Sequence, residues 1–161
     1  MIDLELRAPT QLASSRARIY WTVRALPGWI AVALVETLAL LGATAGVVIP
    51  VVAVSAALAF GHLAVMPQWR YRVHRWEITD AAVYTQTGWF TQERRIAPMA
   101  RIQTADTHRG PIEQLFGLAN VTVTTASAKG PLKIHALDLG VAERIVEHLT
   151  HRAQLSAEDG T

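Results

Sequence analysis

Between positions 29 and 66 the chain carries a single formal charge, Glu36, in about 38 consecutive residues. An apolar run of about 18 residues already suffices for a membrane-spanning helix, and one straight helix of 38 would reach about 57 Å, nearly twice the roughly 30 Å hydrocarbon core. Two crossings fit that thickness. Gly42, Gly46 and Pro50 lie near the middle, with Ala43, Thr44 and Ala45 between the glycines, so small and helix-breaking residues stand where a hairpin must turn. Helices are expected at about residues 26–44 and 47–66, with both ends on one side of the membrane.

Charge indicates the side. Arg7, Arg16, Arg18 and Arg24 precede the hairpin, Arg70, Arg72 and Arg75 follow it, and the turn carries none. The positive-inside rule then makes both termini cytoplasmic in a multi-pass protein of the cell (inner) membrane. Trp29, Trp69, Arg70 and Arg72 are the expected anchors at the membrane interface. Ala43-Thr44-Ala45 also imitates a secretory cleavage site, but the preceding leader is too long and a second apolar segment follows at once.

Glu36 is the one acid within the span, and such a residue marks a functional site by default. With the turn near residues 45–46, Ser55 stands opposite it. The pair is expected to fix helix pairing or to contact a partner helix. A proton or ion pathway would need more polar groups than Thr37, Thr44, Ser55 and His62 supply, and His62 is expected at headgroup level.

About 90 residues follow the hairpin, enough for one small domain. The chain has no cysteine, which excludes disulfides, thiolate nucleophiles and cysteine-held metals. Of the net charge of +2, residues 67–109 carry about +3 and residues 110–161 about −2, so the basic part lies beside the membrane. Nucleic acid would call for a denser basic stripe with stacking aromatics.

In chain order, residues 1–25 read as a loosely ordered leader followed by an interfacial helix, broken near Pro27-Gly28. The hairpin occupies 26–66, a β-rich domain 67–153 and a disordered tail 154–161. Within the domain, strands are expected at 71–79, 83–85, 93–96 and 102–108, the last with Ile102 and Thr104 on one face. A helical turn at most is expected at 112–116. Val121 and Val123, then Leu132, Ile134 and Ala136, alternate with polar residues as a half-buried hairpin. From Asp138, a good N-cap type, Val141, Ile145 and Leu149 mark an amphipathic helix ending near Arg152.

No catalytic constellation, cofactor site or metal site emerges. His148 and His151 lack a third ligand, Asp106 and His108 lack a nucleophile elbow, and the segment from Glu113 to Gly117 lacks the glycine spacing of a phosphate loop. Trp76, Trp89, Leu115 and Phe116 read as packing residues, although Trp89-Phe90 after Gly88 also suits a turn tip entering the bilayer or a partner groove.

Several segments carry a resemblance. Gly88-Trp89, Pro98 followed by Arg101-Ile102-Gln103, the run Leu115-Phe116-Gly117-Leu118-Ala119 leading into Val121-Thr122-Val123, and the Leu137-Asp138 entry to the last helix are its marks. Over about residues 27–149 the chain resembles the YdbS-like, membrane-flanked bacterial pleckstrin-homology (PH) domain family. The resemblance implies a membrane helical hairpin plus a PH-like domain of two packed antiparallel sheets with a C-terminal helix. It implies no reaction, but a binding or assembly module for a membrane protein partner, such as a larger relative with several PH domains, or for copies of itself. Some relatives are linked to tolerance of membrane-active antimicrobial peptides. The alternative is a phospholipid-headgroup reader using Arg94, Arg95, Arg101 and Arg109, and a third reading is a small transport or channel subunit using Glu36.

Overall fold

The apolar run folds as two helices, α1 (Ala17–Leu40) and α2 (Ala45–Val73), each long and apolar enough to cross a membrane. The computed structural model describes residues 8–42, 45–88, 91–127 and 130–158, without the side chains of Ala45 and residues 155–158. The expected turn residues Ala43 and Thr44 and the tip Trp89-Phe90 lie outside it. On α2, Val48, Val52, Ser55, Ala59 and His62 are half-buried at alternating spacings of four and three, against Ala25, Trp29 and Glu36 of α1. That spacing keeps one face on a neighbouring helix, and small residues let the backbones approach. Ile30, Leu34, Val35, Leu38, Ile49, Val54 and Phe60 point away from the pair and stay exposed, as lipid-facing residues should.

Both helices extend further than the sequence indicates. α1 passes unbroken through Pro27-Gly28, so among the described residues there is no separate interfacial helix before the first crossing. Its first turns bury Ala17, Tyr20 and Trp21 against the domain, and that packing outweighs the one hydrogen bond a proline removes. α2 likewise contains Pro50 and Pro67 and continues to Val73, taking residues 71–73 from the expected strand. The His74 backbone N–H still donates to the Arg70 carbonyl, which closes the last turn.

The leader, from residue 8, is held rather than loose. Its strand β1 (Gln11–Leu12) pairs antiparallel with β2 (Arg75–Ile78), and the Trp76 indole N–H donates to the Leu12 carbonyl at 3.2 Å. Thr10 donates both its backbone N–H and its hydroxyl to Glu77 at 3.1 Å. With β3 (Ala82–Gly88) and β4 (Gln92–Pro98), these form an antiparallel sheet in the order β1-β2-β3-β4.

A 3-10 turn then leads to the second antiparallel sheet, β5 (Ile102–His108), β6 (Leu118–Thr125) and β7 (Leu132–Asp138), with the short helix α3 (Pro111–Leu115) between β5 and β6. The amphipathic helix α4 (Leu139–Glu158) closes the domain and runs past Arg152 through part of the expected tail. Val83, Val121, Val123, Leu132, Ile134 and Leu137 fill the space between the sheets, beneath Ala142, Ile145 and Leu149 of α4. Each large side chain so buried stabilises the fold by about 1.5–3 kcal/mol. Two apolar helices, two packed antiparallel sheets and a C-terminal helix are the architecture the resemblance implies.

Two irregularities correct the simple alternation. The β5–β6 register shifts between Ile102 and Thr104, so Ile102 and Ala105, rather than Ile102 and Thr104, pack toward the core. The β6–β7 register shifts between Ala119 and Val121, and there Ala136 takes φ of 56°. That left-handed conformation is uncommon for a residue with a Cβ. Both of its backbone polar groups are used outside the ladder: its N–H donates to Asn120 Oδ1 at 2.9 Å, and its carbonyl accepts from the Ser14 N–H at 2.9 Å.

Candidate functional site

The leader, α1 and the domain meet in a second apolar cluster, Ala13, Ala17, Tyr20, Trp21, Leu118 and Ala136, flanked by Tyr71, Ile112 and Phe116. Helical spacing puts Ala17, Tyr20 and Trp21 on one side of α1, and the β7 bulge presents Ala136 to them. The domain is therefore clamped to the hairpin rather than strung from a flexible linker.

Polar contacts lock the clamp. The Tyr20 hydroxyl donates to Glu113 at 2.7 Å, Arg24 donates to the Tyr20 oxygen at 2.8 Å, and Asn120 donates to Glu113 at 3.2 Å. Burial acts to raise the Glu113 pKa, but the hydrogen bonds from Tyr20 and Asn120 and the charge of Arg24 outweigh it and leave the carboxyl below its usual value. Ser14 Oγ donates to Asp138 at 2.8 Å at the entrance to α4.

Beside the clamp lies a cleft of about 480 Å³, lined by His62, Met66, Arg70, His74, Thr87, Gly88 and His135. Its walls pass from His62 and Met66 on α2 to Arg70 at the end of that helix, then to the end of β3 and the bulge of β7. Arg70 lies over the Trp21 ring at 4.8 Å, and among the described residues its guanidinium makes no hydrogen bond or ion pair. His74 Nδ1 sits 3.1 Å from the Arg70 carbonyl, so the neutral ring carries its proton on that nitrogen. Burial first, then the charge of Arg70, lowers the His74 pKa to about 4. Burial and Arg70 also lower that of His135. The Trp29 indole donates to His62 Nδ1 at 2.9 Å, which puts the proton of a neutral His62 on Nε2.

Gly88 holds the rim. Its φ of 129° is closed to other residues, and a Cβ there would strike the Thr91 carbonyl.

Residues 27–153 match the family of bacterial PH domains. The chain belongs to that family. This bacterial PH-domain chain is also 32% identical, over 95 residues, to the transmembrane protein YdbS of Bacillus subtilis (strain 168). The aligned stretch covers 59% of the chain and 58% of that relative, so the chain spans less than two thirds of the length of the protein it matches. No solved structure matches it significantly. The family, the transmembrane relative and the two apolar helices together make it a membrane protein.

The bacterial PH domain does not gather the four arginines expected to read headgroups. Arg94 donates to Gln86 at 3.0 Å, Arg95 donates to the Gly130 and Pro131 carbonyls at 2.7 Å each, and Arg109 donates to the Leu118 carbonyl at 3.1 Å. Arg101 is exposed in the 3-10 turn. Of the expected interface anchors, Trp69 and Arg72 are exposed, Trp29 is engaged with His62, and Arg70 turns inward.

Glu36 and Ser55 both lie in the hairpin seam, seven residues and two turns from Trp29 and His62. No hydrogen bond joins them: the Ser55 hydroxyl donates to the Val52 carbonyl of its own helix at 3.1 Å. Among the packing residues, Trp76 is buried and Phe116 half-buried, but Leu115 is 81% exposed at the end of α3, because a single helical turn turns only one side inward. His108, His148 and His151 are exposed.

The cleft residues His74 and His135 and the clamp pair Tyr20 and Glu113 escaped sequence reasoning, since each comes from a different segment. The signal available was that His62 lies in the apolar run and His74 stands beside Arg75 just after it.

Proposed function

We propose that this protein is a non-enzymatic assembly module of the cell membrane, in which the hairpin holds a rigidly oriented PH-like domain on the cytoplasmic side and pairs with a membrane protein partner or a second copy. The observation that carries the reading is Glu36. Among the described residues its carboxyl makes no hydrogen bond or ion pair, although it lies within the apolar span, about one turn before the end of α1 at Leu40. A polar group in hydrocarbon without a partner costs several kcal/mol. A donor from a neighbouring helix offsets that cost.

Orientation follows from charge: Arg16, Arg18 and Arg24 at one helix end and Arg70, Arg72 and Arg75 at the other favour the cytoplasmic face for both. The clamp gives the assembly its geometry, because a domain fixed to its anchor presents one surface at one height above the bilayer. A role in tolerance of membrane stress or antimicrobial peptides is an extension by analogy with relatives.

Crosslinking in native membranes, followed by affinity purification and mass spectrometry, tests the reading. A reproducible complex is expected for the wild type and for Glu36→Gln, which keeps hydrogen-bonding groups, and its loss is expected for Glu36→Ala. An undiminished complex in Glu36→Ala overturns the assignment.

A further inference from the structure

The cleft beside the clamp holds a cation that, among the described residues, no acidic side chain pairs with. None of its seven lining residues is acidic, and Arg70 makes no hydrogen bond or ion pair among the described residues. Arg24 and Lys133 act on the same site with the same sign, and Glu113, already engaged by Tyr20 and Asn120, is the acid that opposes them. Half-burying a guanidinium beside other cations is costly unless an anion joins it.

The amount of charge narrows the class of ligand. Arg70 is the one arginine or lysine among the seven lining residues, and burial and the charge of Arg70 act against a proton on His74 and His135. A phosphodiester monoanion matches that charge, whereas a dianionic phosphate monoester would exceed it. Position narrows the class again. His62 and Met66 belong to the apolar helix and Thr87 and His135 to the domain, so the cleft straddles the level at which a bilayer turns from acyl chain to headgroup. Its volume lies in the usual range of small-molecule sites.

We propose that this cleft binds the phosphodiester headgroup of an anionic phospholipid, with Arg70 as the charged anchor, Thr87 as a hydroxyl donor at the rim and Met66 against the glycerol. The bound lipid then becomes part of the junction between hairpin and domain. This site is distinct from Arg94, Arg95, Arg101 and Arg109, and it does not depend on the assembly role of Glu36.

The test is lipid retention by the full chain in mild detergent, followed by native mass spectrometry with phosphatidylglycerol as the probe and phosphatidylcholine and inorganic phosphate as comparisons. The wild type should retain one phosphatidylglycerol per chain in preference to phosphatidylcholine, and millimolar inorganic phosphate should not displace it. Arg70→Gln should weaken retention by about tenfold or more, the scale of a charge-assisted hydrogen bond, and Arg144→Gln, at an exposed position of α4, should leave it unchanged. Arg70 also packs on Trp21, so Thr87→Val, which leaves that packing intact, is measured beside it and should weaken retention by about threefold or more. If Arg70→Gln does not fold, Thr87→Val decides: weakened retention supports the site and unchanged retention overturns it. Equal retention by folded Arg70→Gln, equal binding of phosphatidylcholine, or displacement by inorganic phosphate also overturns it.

Discussion

Tyr20 of α1 donates a 2.7 Å hydrogen bond to Glu113 of α3, 93 positions away, and so joins the membrane anchor to the folded domain through a group that is only 7% exposed. Arg24 donates to the same phenolic oxygen, so one hydroxyl links a cation on the anchor to an anion on the domain. Tyr20→Phe keeps the ring against Phe116 but removes that link. The expected loss is about 1.5–3 kcal/mol, the range for hydrogen bonds to charged groups, read from denaturant unfolding of the full chain in detergent. A double-mutant cycle with Glu113→Gln should give a coupling of at least about 0.5 kcal/mol, and strict additivity would refute the network.

The structure assigns Arg95 and Arg109 to the domain's own backbone. Arg95 binds two carbonyls of the β6–β7 connection, and Arg109 ties the start of α3 to β6. Arg109→Ala should lower stability by about 1–3 kcal/mol, since it takes a donor from the carbonyl of buried Leu118, and Arg95→Ala by about 0.5–1.5 kcal/mol, since water reaches the exposed Pro131 carbonyl. Arg101→Ala should change it by less than about 0.5 kcal/mol, as for other exposed positions. Thermal unfolding of the three variants separates structural from surface arginines.

How much was legible in the sequence depended on the range of the interactions. The hairpin was readable because an apolar run states its own environment, and even its register was, since placing the turn puts Ser55 opposite Glu36 and the Trp29–His62 contact lies on the same seam. The strands of the domain were readable from alternation at Val121, Val123, Leu132 and Ile134. What was hidden is long-range or irregular. Nothing in the sequence around Leu12 announces that its carbonyl will accept from Trp76, and Pro27 reads as a break until Tyr20 and Trp21 are seen to be buried. The bulge at Ala136 defeats alternation because it is made by Asn120 and Ser14, both distant in sequence. The cleft was invisible for the same reason, drawing its walls from α2, β3 and β7.

The junction should weaken in mild acid. His74 has its pKa lowered to about 4 in the fold, against about 6.5 in an unfolded chain, by burial and then by Arg70. A folded pKa below the unfolded one means that the unfolded state binds more protons in that window. The stabilisation is therefore complete above about pH 6.5 and is lost as pH falls toward 4, by an amount on the order of 2–3 kcal/mol. His135, also lowered, acts in the same direction. Glu113, lowered from the ordinary carboxyl range, loses its contribution only below about pH 4.5. Melting temperatures between pH 7 and 4.5 should fall for the wild type and fall less for His74→Gln. Identical slopes would show that His74 does not titrate across folding.

Removing residues 1–15 tests the clamp most directly. If the leader were loose, the deletion would leave the domain unchanged. Here it removes β1, takes the Leu12 carbonyl from a buried Trp76 indole, and leaves the strained Ala136 carbonyl without the Ser14 N–H. It also strips Ala13 from the cluster around Tyr20 and Trp21. Each buried polar group left without a partner costs about 1–3 kcal/mol, so the deletion should lower stability by several kcal/mol or prevent folding. Hydrogen exchange on the intact chain supplies a reading that does not rest on the variant folding. The Ser14 amide, held 2.9 Å from the Ala136 carbonyl, should exchange as slowly as amides of the β6–β7 ladder, and fast exchange there would mean that the leader does not hold the domain to its anchor.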